Sequence, residues 1–357
     1  MFKPEHVFLQ GKKIQLTKGG LLDLSNYGLS EISKVEGIED LTNLKYLVVN
    51  NNKFTDFNAL RVLEDSPNFH SLSICNNQIN DLKDLERFAS LKTLICTDNR
   101  IKNLRGLKNL ANLTILNLSH NQIFEITGLD TLNKLKELDL SHNRIQTIKG
   151  LGALKRLIRL NISQNDPAEI QGLEALIELR FLNLEYNNIW KIKGLNSLTN
   201  LSILNLEGNQ IEKIEGLEFL IRLRDLNLNN NRINAINGLD ALIELQYLRL
   251  SHNNIKKIEG LLNLTALEYL QLDNNQITDV RGHEFPPQLH LVLLGHNQIK
   301  EVRFLPYNKA IYHLEGNQIS SMEGLEDHLR SKKVVLFENP VMEEVYEKFP
   351  EWVTYSK

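Results

Sequence analysis

The chain has 357 residues, of which 41 are Lys or Arg and 44 are Asp or Glu, giving a formal charge of −3. That near balance excludes a bulk electrostatic pull toward nucleic acid or an anionic membrane, and the charges are interspersed, not gathered into a tail. With two cysteines, no apolar core of a secretion signal near Met1 and no long apolar run, the sequence predicts a soluble cytoplasmic or nuclear protein with no membrane span and no disulfide framework.

Residues 1–20, with Val7-Phe8-Leu9 and Ile14-Gln15-Leu16, read as an N-terminal cap in the form of a small hairpin. A degenerate first repeat follows, with Leu22 and Leu24 ahead of Tyr27. Two 25-residue steps then lead to Asn52 and Asn77. From Asn77 to Asn297 an asparagine recurs every 22 residues, and Asn317 and Asn339 close the series. Each copy reads like Leu113-x-x-Leu116-x-Leu118-x-x-Asn121-x-Ile123-x-x-Ile126-x-Gly128-Leu129-x-x-Leu132. Residues 21–339 are thus an array of about 15 repeats. Residues 340–357 abandon the pattern and read as a helical C-terminal cap, with Tyr346, Phe349 and Trp352 covering the last coil.

Within a repeat, the Leu-x-Leu stretch alternates inward and outward and predicts a short strand. A single copy buries too little apolar surface to offset the entropy of ordering its backbone, so the copies must stack. The asparagine side chain both donates and accepts, which suits it to satisfying backbone groups between coils, and the Gly column supplies a turn into the crossing segment. The expected fold is an α/β solenoid: a right-handed superhelix with a parallel sheet on its concave side and short helical or 3₁₀ segments on its convex side. Three places depart from the pattern: the two 25-residue steps, Pro167 in place of the usual Ile, and Gly282 to Pro287 followed by a 20-residue step to Asn317. They read as loop variation. The segment Leu173-Glu-Ala-Leu-Ile-Glu-Leu179 returns as Leu239-Asp-Ala-Leu-Ile-Glu-Leu245, which points to block duplication.

From residue 70 onward the pattern resembles the 22-residue leucine-rich repeat class typified by the nuclear regulatory subunit of protein phosphatase 1, and the stretch from Asn339 to Trp352 is similar to the C-terminal cap of that class. The resemblance implies contacts to a phosphatase catalytic subunit from large aromatics and acids in the middle outward column. Asp139 fits that pattern, whereas Asn161, Asn183, Asn205 and Asn227 stand where bulky side chains would.

Three outward columns lie six, four and two residues before each Asn. The first contains Phe181, Asp225, Tyr247, Tyr269, Leu291 and Ile311, aromatic or apolar without a break from Tyr247 to Ile311, which marks a contact stripe. The other two contribute Asp139, Arg249 and Leu293, and Glu185, Glu207 and Asp273. A mildly acidic floor with an apolar flank suits a protein surface and disfavours a phosphodiester backbone. These residues predict a non-enzymatic protein-binding scaffold or regulatory subunit, monomeric when free and without a cofactor. No phosphate-binding Gly loop, nucleophile elbow or zinc spacing is present. An alternative of another class is a metal-dependent activity at Asp98, His120 and His142, which share one position in three successive repeats.

Overall fold

A computed structural model describes residues 5–306 and 309–350, so Trp352 and the two chain ends fall outside the described residues. The chain divides into two compact units, Met1–Leu179 and Arg180–Lys357. In the first unit, β1 (His6–Leu9) and β2 (Lys12–Gln15) form an antiparallel hairpin through a turn in which Gln10 and Gly11 both have positive φ. Phe8 and Glu36 exchange backbone hydrogen bonds of 3.0 and 2.9 Å, which fastens the hairpin to the first coil. Seven parallel strands follow: β3 (Leu21–Asp23), β4 (Tyr46–Val48), β5 (Ser71–Ser73), β6 (Thr93–Ile95), β7 (Ile115–Asn117), β8 (Glu137–Asp139) and β9 (Arg159–Asn161).

The second unit repeats this plan with β10 (Phe181–Asn183), β11 (Ile203–Asn205), β12 (Asp225–Asn227), β13 (Tyr247–Arg249) and β14 (Tyr269–Gln271). Next come β15 (Asp279–Arg281), β16 (Leu291–Leu293), β17 (Glu301–Arg303), β18 (Ile311–His313) and β19 (Val334–Val335). Strands β10 to β14, β16, β18 and β19 pair in parallel order, while β15 and β17 pair with each other in a separate two-stranded sheet. That second sheet is where the sequence departs from the Gly-Leu pattern: the crossing segments straighten into strands instead of turning.

Register is indifferent to repeat length. Ile115 lies opposite Glu137 across a 22-residue step, Tyr46 opposite Ser71 across 25, and Leu291 opposite Ile311 across 20. The surplus residues go to the return path. The 25-residue steps carry 3₁₀ turns at Ile32–Lys34 and Asn58–Leu63, and another lies at Lys83–Arg87. The crossing segments are short, as expected, and among the described residues form 3₁₀ helix only in these places within the first unit. Between Asn99 and Asn275 the crossing is a run of single turns, such as Leu132 N–H to Leu129 O and Leu135 N–H to Leu132 O, each 3.0 Å. Inward leucines spaced three apart are each closed by one such bond, and the chain turns away before a second consecutive bond can make a helix.

The asparagine column does what its chemistry predicts. Asn143 Oδ1 accepts the N–H of Ile123 at 2.9 Å, and its Nδ2 donates to the carbonyls of Leu118, Leu140 and Ser141, each at 3.0 Å. The same set recurs at Asn121, Asn231, Asn253 and Asn339, so one amide ties its own turn to the preceding coil. Pro167 has no N–H to offer in the role that Ile123 and Ile145 fill. Gly150 shows why its column is glycine: φ is +82°, and an added Cβ would lie 2.1 Å from the carbonyl oxygen of Ile126. At the C-terminal end α1 (Glu326–Arg330) and α2 (Met342–Lys348) leave the repeat pattern, and Val341, Met342, Val345 and Phe349 are buried while Tyr346 is half-buried.

Candidate functional site

The pleat of each three-residue strand sends its middle residue into the core and its flanks outward, so Leu248 and Leu270 are fully buried between Tyr247 and Arg249, and Tyr269 and Gln271. In-register pairing then stacks equivalent residues on adjacent strands: Asp225, Tyr247, Tyr269, Leu291 and Ile311 form one row, and Asn227, Arg249, Gln271, Leu293 and His313 the next.

The centre of this face is Arg249. Its Nη1 donates to Asp225 Oδ1 on the neighbouring strand, and its guanidinium carbon lies 5.9 Å from the ring centres of both Tyr247 and Tyr269. The two rings are 6.2 Å apart at a 41° tilt. A planar cation stacked on aromatic faces and anchored by a carboxylate is held in one orientation. Burial pushes the Tyr269 hydroxyl above its ordinary pKa; Arg249 opposes that rise and Asp273 adds to it. Tyr247 and Ile311 stay exposed, and Leu291 and Leu293 half-exposed, so the predicted apolar stripe is open to solvent from Tyr247 to Ile311. Ile203 in the same column, which the sequence reading did not select, is also exposed.

The acidic residues are more engaged than sequence alone suggests. Glu207 accepts from Asn227 Nδ2 and Asn230 Nδ2, both at 2.9 Å, and from Tyr186 Oη at 3.2 Å. Glu185 accepts from Asn205 Nδ2. Asp273 accepts from Gly295 N at 3.0 Å and Ser251 Oγ at 3.2 Å. In the other unit, Asp139 accepts from Ser141 N and Oγ at 2.9 and 2.7 Å and from Asn161 Nδ2 at 3.4 Å. Middle-column Asn residues also hold the chain two residues on, as Asn205 Oδ1 does for Glu207 N at 3.1 Å. Asn161, Asn183, Asn205 and Asn227 therefore brace the strand ends. Phe181 is half-buried at the start of β10.

The metal-dependent alternative is not supported by the geometry. Asp98, His120 and His142 have φ of 54°, 54° and 51°, as do their counterparts His252, Asn274 and His296 within a few degrees. This column requires left-handed backbone, which Asn, Asp and His tolerate better than most residues. The rings of His120 and His142 stack face to face, 3.8 Å apart at 15°, an arrangement that turns their edges parallel instead of converging on one ion. Among the described residues no group of three or more His, Cys, Asp or Glu side chains is placed to hold a metal ion. Both cysteines are free, and burial raises the Cys96 thiol pKa well above its usual value.

Exposed apolar side chains also occur away from the strands: Phe219, Ile221, Ile243 and Leu262 in the second unit, each about half exposed, and Phe304 at 81%. The signal for Ile243 was present in the duplicated Leu-Ile-Glu-Leu segment, where an isoleucine stands between two inward leucines. Phe304 follows β17 with φ of 57°, and its carbonyl oxygen would lie 1.5 Å from a Cβ at Gly282. Nothing in the local sequence announces that close approach.

A sequence profile for leucine-rich repeats, spanning two copies, matches residues 89–134, 133–175, 177–219 and 243–284. No curated protein sequence matches the chain significantly. Among solved structures, an internalin, InlF of Listeria monocytogenes, superposes with a TM-score of 0.71 at 24% identity, covering 85% of this chain and 89% of that one. A leucine-rich repeat protein of Leptospira interrogans gives 0.64 at 24% identity, covering 92% and 93%. The functional domain of InlJ from Listeria monocytogenes gives 0.70 at 25% identity, covering 86% of this chain; the chain spans 65% of that domain. The cysteine ladder described for InlJ has no counterpart in a chain with two cysteines.

Proposed function

We propose that the chain is a leucine-rich repeat protein that acts as a non-enzymatic scaffold or regulatory subunit and holds a protein partner against the outward face of strands β10 to β14, β16 and β18. The observation that carries this reading is the fixed Arg249, clamped by Asp225 and flanked by Tyr247 and Tyr269, beside an open row of Leu291 and Ile311. Aromatic and Arg side chains at the centre of an apolar patch are the residue types that dominate interface energetics. Asp225 removes the conformational freedom that Arg249 would otherwise lose on binding.

The test is capture from native extract by the wild-type protein and by a Tyr247→Asp/Tyr269→Asp double variant of matched thermal stability. Loss of the captured protein supports the reading, and undiminished capture rejects this face. A phosphatase catalytic subunit is a second candidate partner, favoured by Asp139 alone. Titration with that catalytic subunit tests it, and no binding at micromolar concentration excludes it.

A further inference from the structure

We infer that the occupant of this face is a basic amphipathic helix of the partner, lying across the strands; the inference rests on the scaffold reading above. Two dissimilar rows flank the middle column. On one side Tyr247, Tyr269, Leu291 and Ile311 stand on consecutive paired strands. On the other, two residues before each Asn, stand Glu185, Glu207, Asp273 and Glu315, and no Lys or Arg occurs in that row between β10 and β19. The rows are four residues apart along each strand, about 13 Å, close to the roughly 10–12 Å diameter of a helix with its side chains.

The spacing along the other direction selects a helix over an extended segment. Parallel strands repeat every ~4.8 Å and a helix turns every ~5.4 Å, so each turn of a helix laid across the sheet meets about one strand. Side chains at i, i+3 or i+4, and i+7 then meet successive members of one row. An extended segment alternates its side chains between opposite faces and cannot present one continuous chemistry to each row. Ser251 and Gly295 alternate with the acids and leave room along the acidic side. The acids are also presented in fixed positions: Gly295 N–H and Ser251 Oγ hold Asp273, and three donors hold Glu207. The complementary surface is a helix with an apolar stripe bordered on one side by Lys or Arg.

The test uses designed helical peptides of about four turns, one with a Leu stripe bordered by Lys and one identical except for Glu in place of Lys, titrated against the full chain. The Leu/Lys peptide is expected to bind at least about tenfold more tightly at low salt, with the gap closing as ionic strength rises. A proline at its centre should abolish binding. An Asp273→Asn/Glu315→Gln variant, which keeps acceptor oxygens, should lose the preference. Equal binding of the two peptides, tighter binding of the Leu/Glu form, survival of binding with the proline, or no binding by either peptide overturns the inference. If neither peptide binds while capture still depends on Tyr247 and Tyr269, the scaffold reading stands and the basic helix falls. If capture ignores the tyrosines, the scaffold reading fails on its own evidence.

Discussion

Ile123 donates its backbone N–H to the side-chain oxygen of Asn143, 2.9 Å away in the next coil, and Leu118 one strand back accepts from the same amide. Replacing Asn143 with Ala leaves the buried Ile123 N–H without a partner, while Leu118 O keeps its bond from Asn121 Nδ2. The expected loss is on the order of 1–3 kcal/mol, the cost of one unsatisfied buried group. Urea denaturation of Asn143→Ala beside the wild type measures it, and a change under 1 kcal/mol (roughly the median effect of any substitution) would show the ladder to be dispensable.

Gly150 and Gly152 form a matched pair two residues apart. A Cβ at Gly150 meets the Ile126 carbonyl at 2.1 Å with φ at +82°, whereas at Gly152 nothing lies within 4 Å. Gly150→Ala should destabilise by about 2–4 kcal/mol, because backbone must shift as well as tolerate left-handed φ. Gly152→Ala should be neutral or slightly stabilising. Equal melting temperatures for the two variants would contradict the close approach.

The left-handed column at His120 makes a different prediction. His120→Asn keeps a residue that tolerates this backbone and should melt with the wild type, while His120→Val should cost about 1–2 kcal/mol. Zinc added before dialysis should be absent from the retained protein, as measured by elemental analysis. Stoichiometric zinc that disappears in the Asn variant would restore the metal reading.

Tyr269 provides a pH readout of the central cluster. Its hydroxyl pKa is raised by burial, against the pull of Arg249. A tyrosine whose folded pKa exceeds its unfolded value of about 10 contributes stability that is complete below that pH and lost as pH rises through the folded pKa. Phenolate absorbance should show late-ionising tyrosines that include Tyr186, held up by the neighbouring Glu207 carboxylate, and Tyr269, the latter component being lost in Tyr269→Phe. Arg249→Met should delay it further, and Asp273→Asn should bring it earlier. A titration unchanged by Arg249→Met would place the guanidinium away from the ring.

The strands, the buried leucines and the asparagine ladder were legible in the sequence because each is written as a period, and a side chain that alternates in or out needs no tertiary information. The outward columns followed from the same register, which is why Tyr247, Arg249 and Tyr269 could be placed on one face in advance. What they do to one another was not legible: the Asp225 clamp depends on rotamers reaching between strands. The acids illustrate the limit in the other direction. Glu207 reads as a free surface charge, but Asn227, Asn230 and Tyr186 converge on it through residues 20 or more positions away in sequence. The β15 and β17 pair was hidden for a local reason, since Gly282 to Pro287 signals a break without saying that the flanking residues straighten.

Tyr46 faces Ser71 and Leu291 faces Ile311 with the same alignment, although one pair is separated by 25 residues and the other by 20. Length variation is thereby confined to the side away from the outward columns. A foreign peptide spliced into the return path near Asn58–Leu63 should change the ornament there and leave the neighbouring strand register in place, so this chain can be tagged, lengthened or diversified on its reverse without disturbing its outward rows.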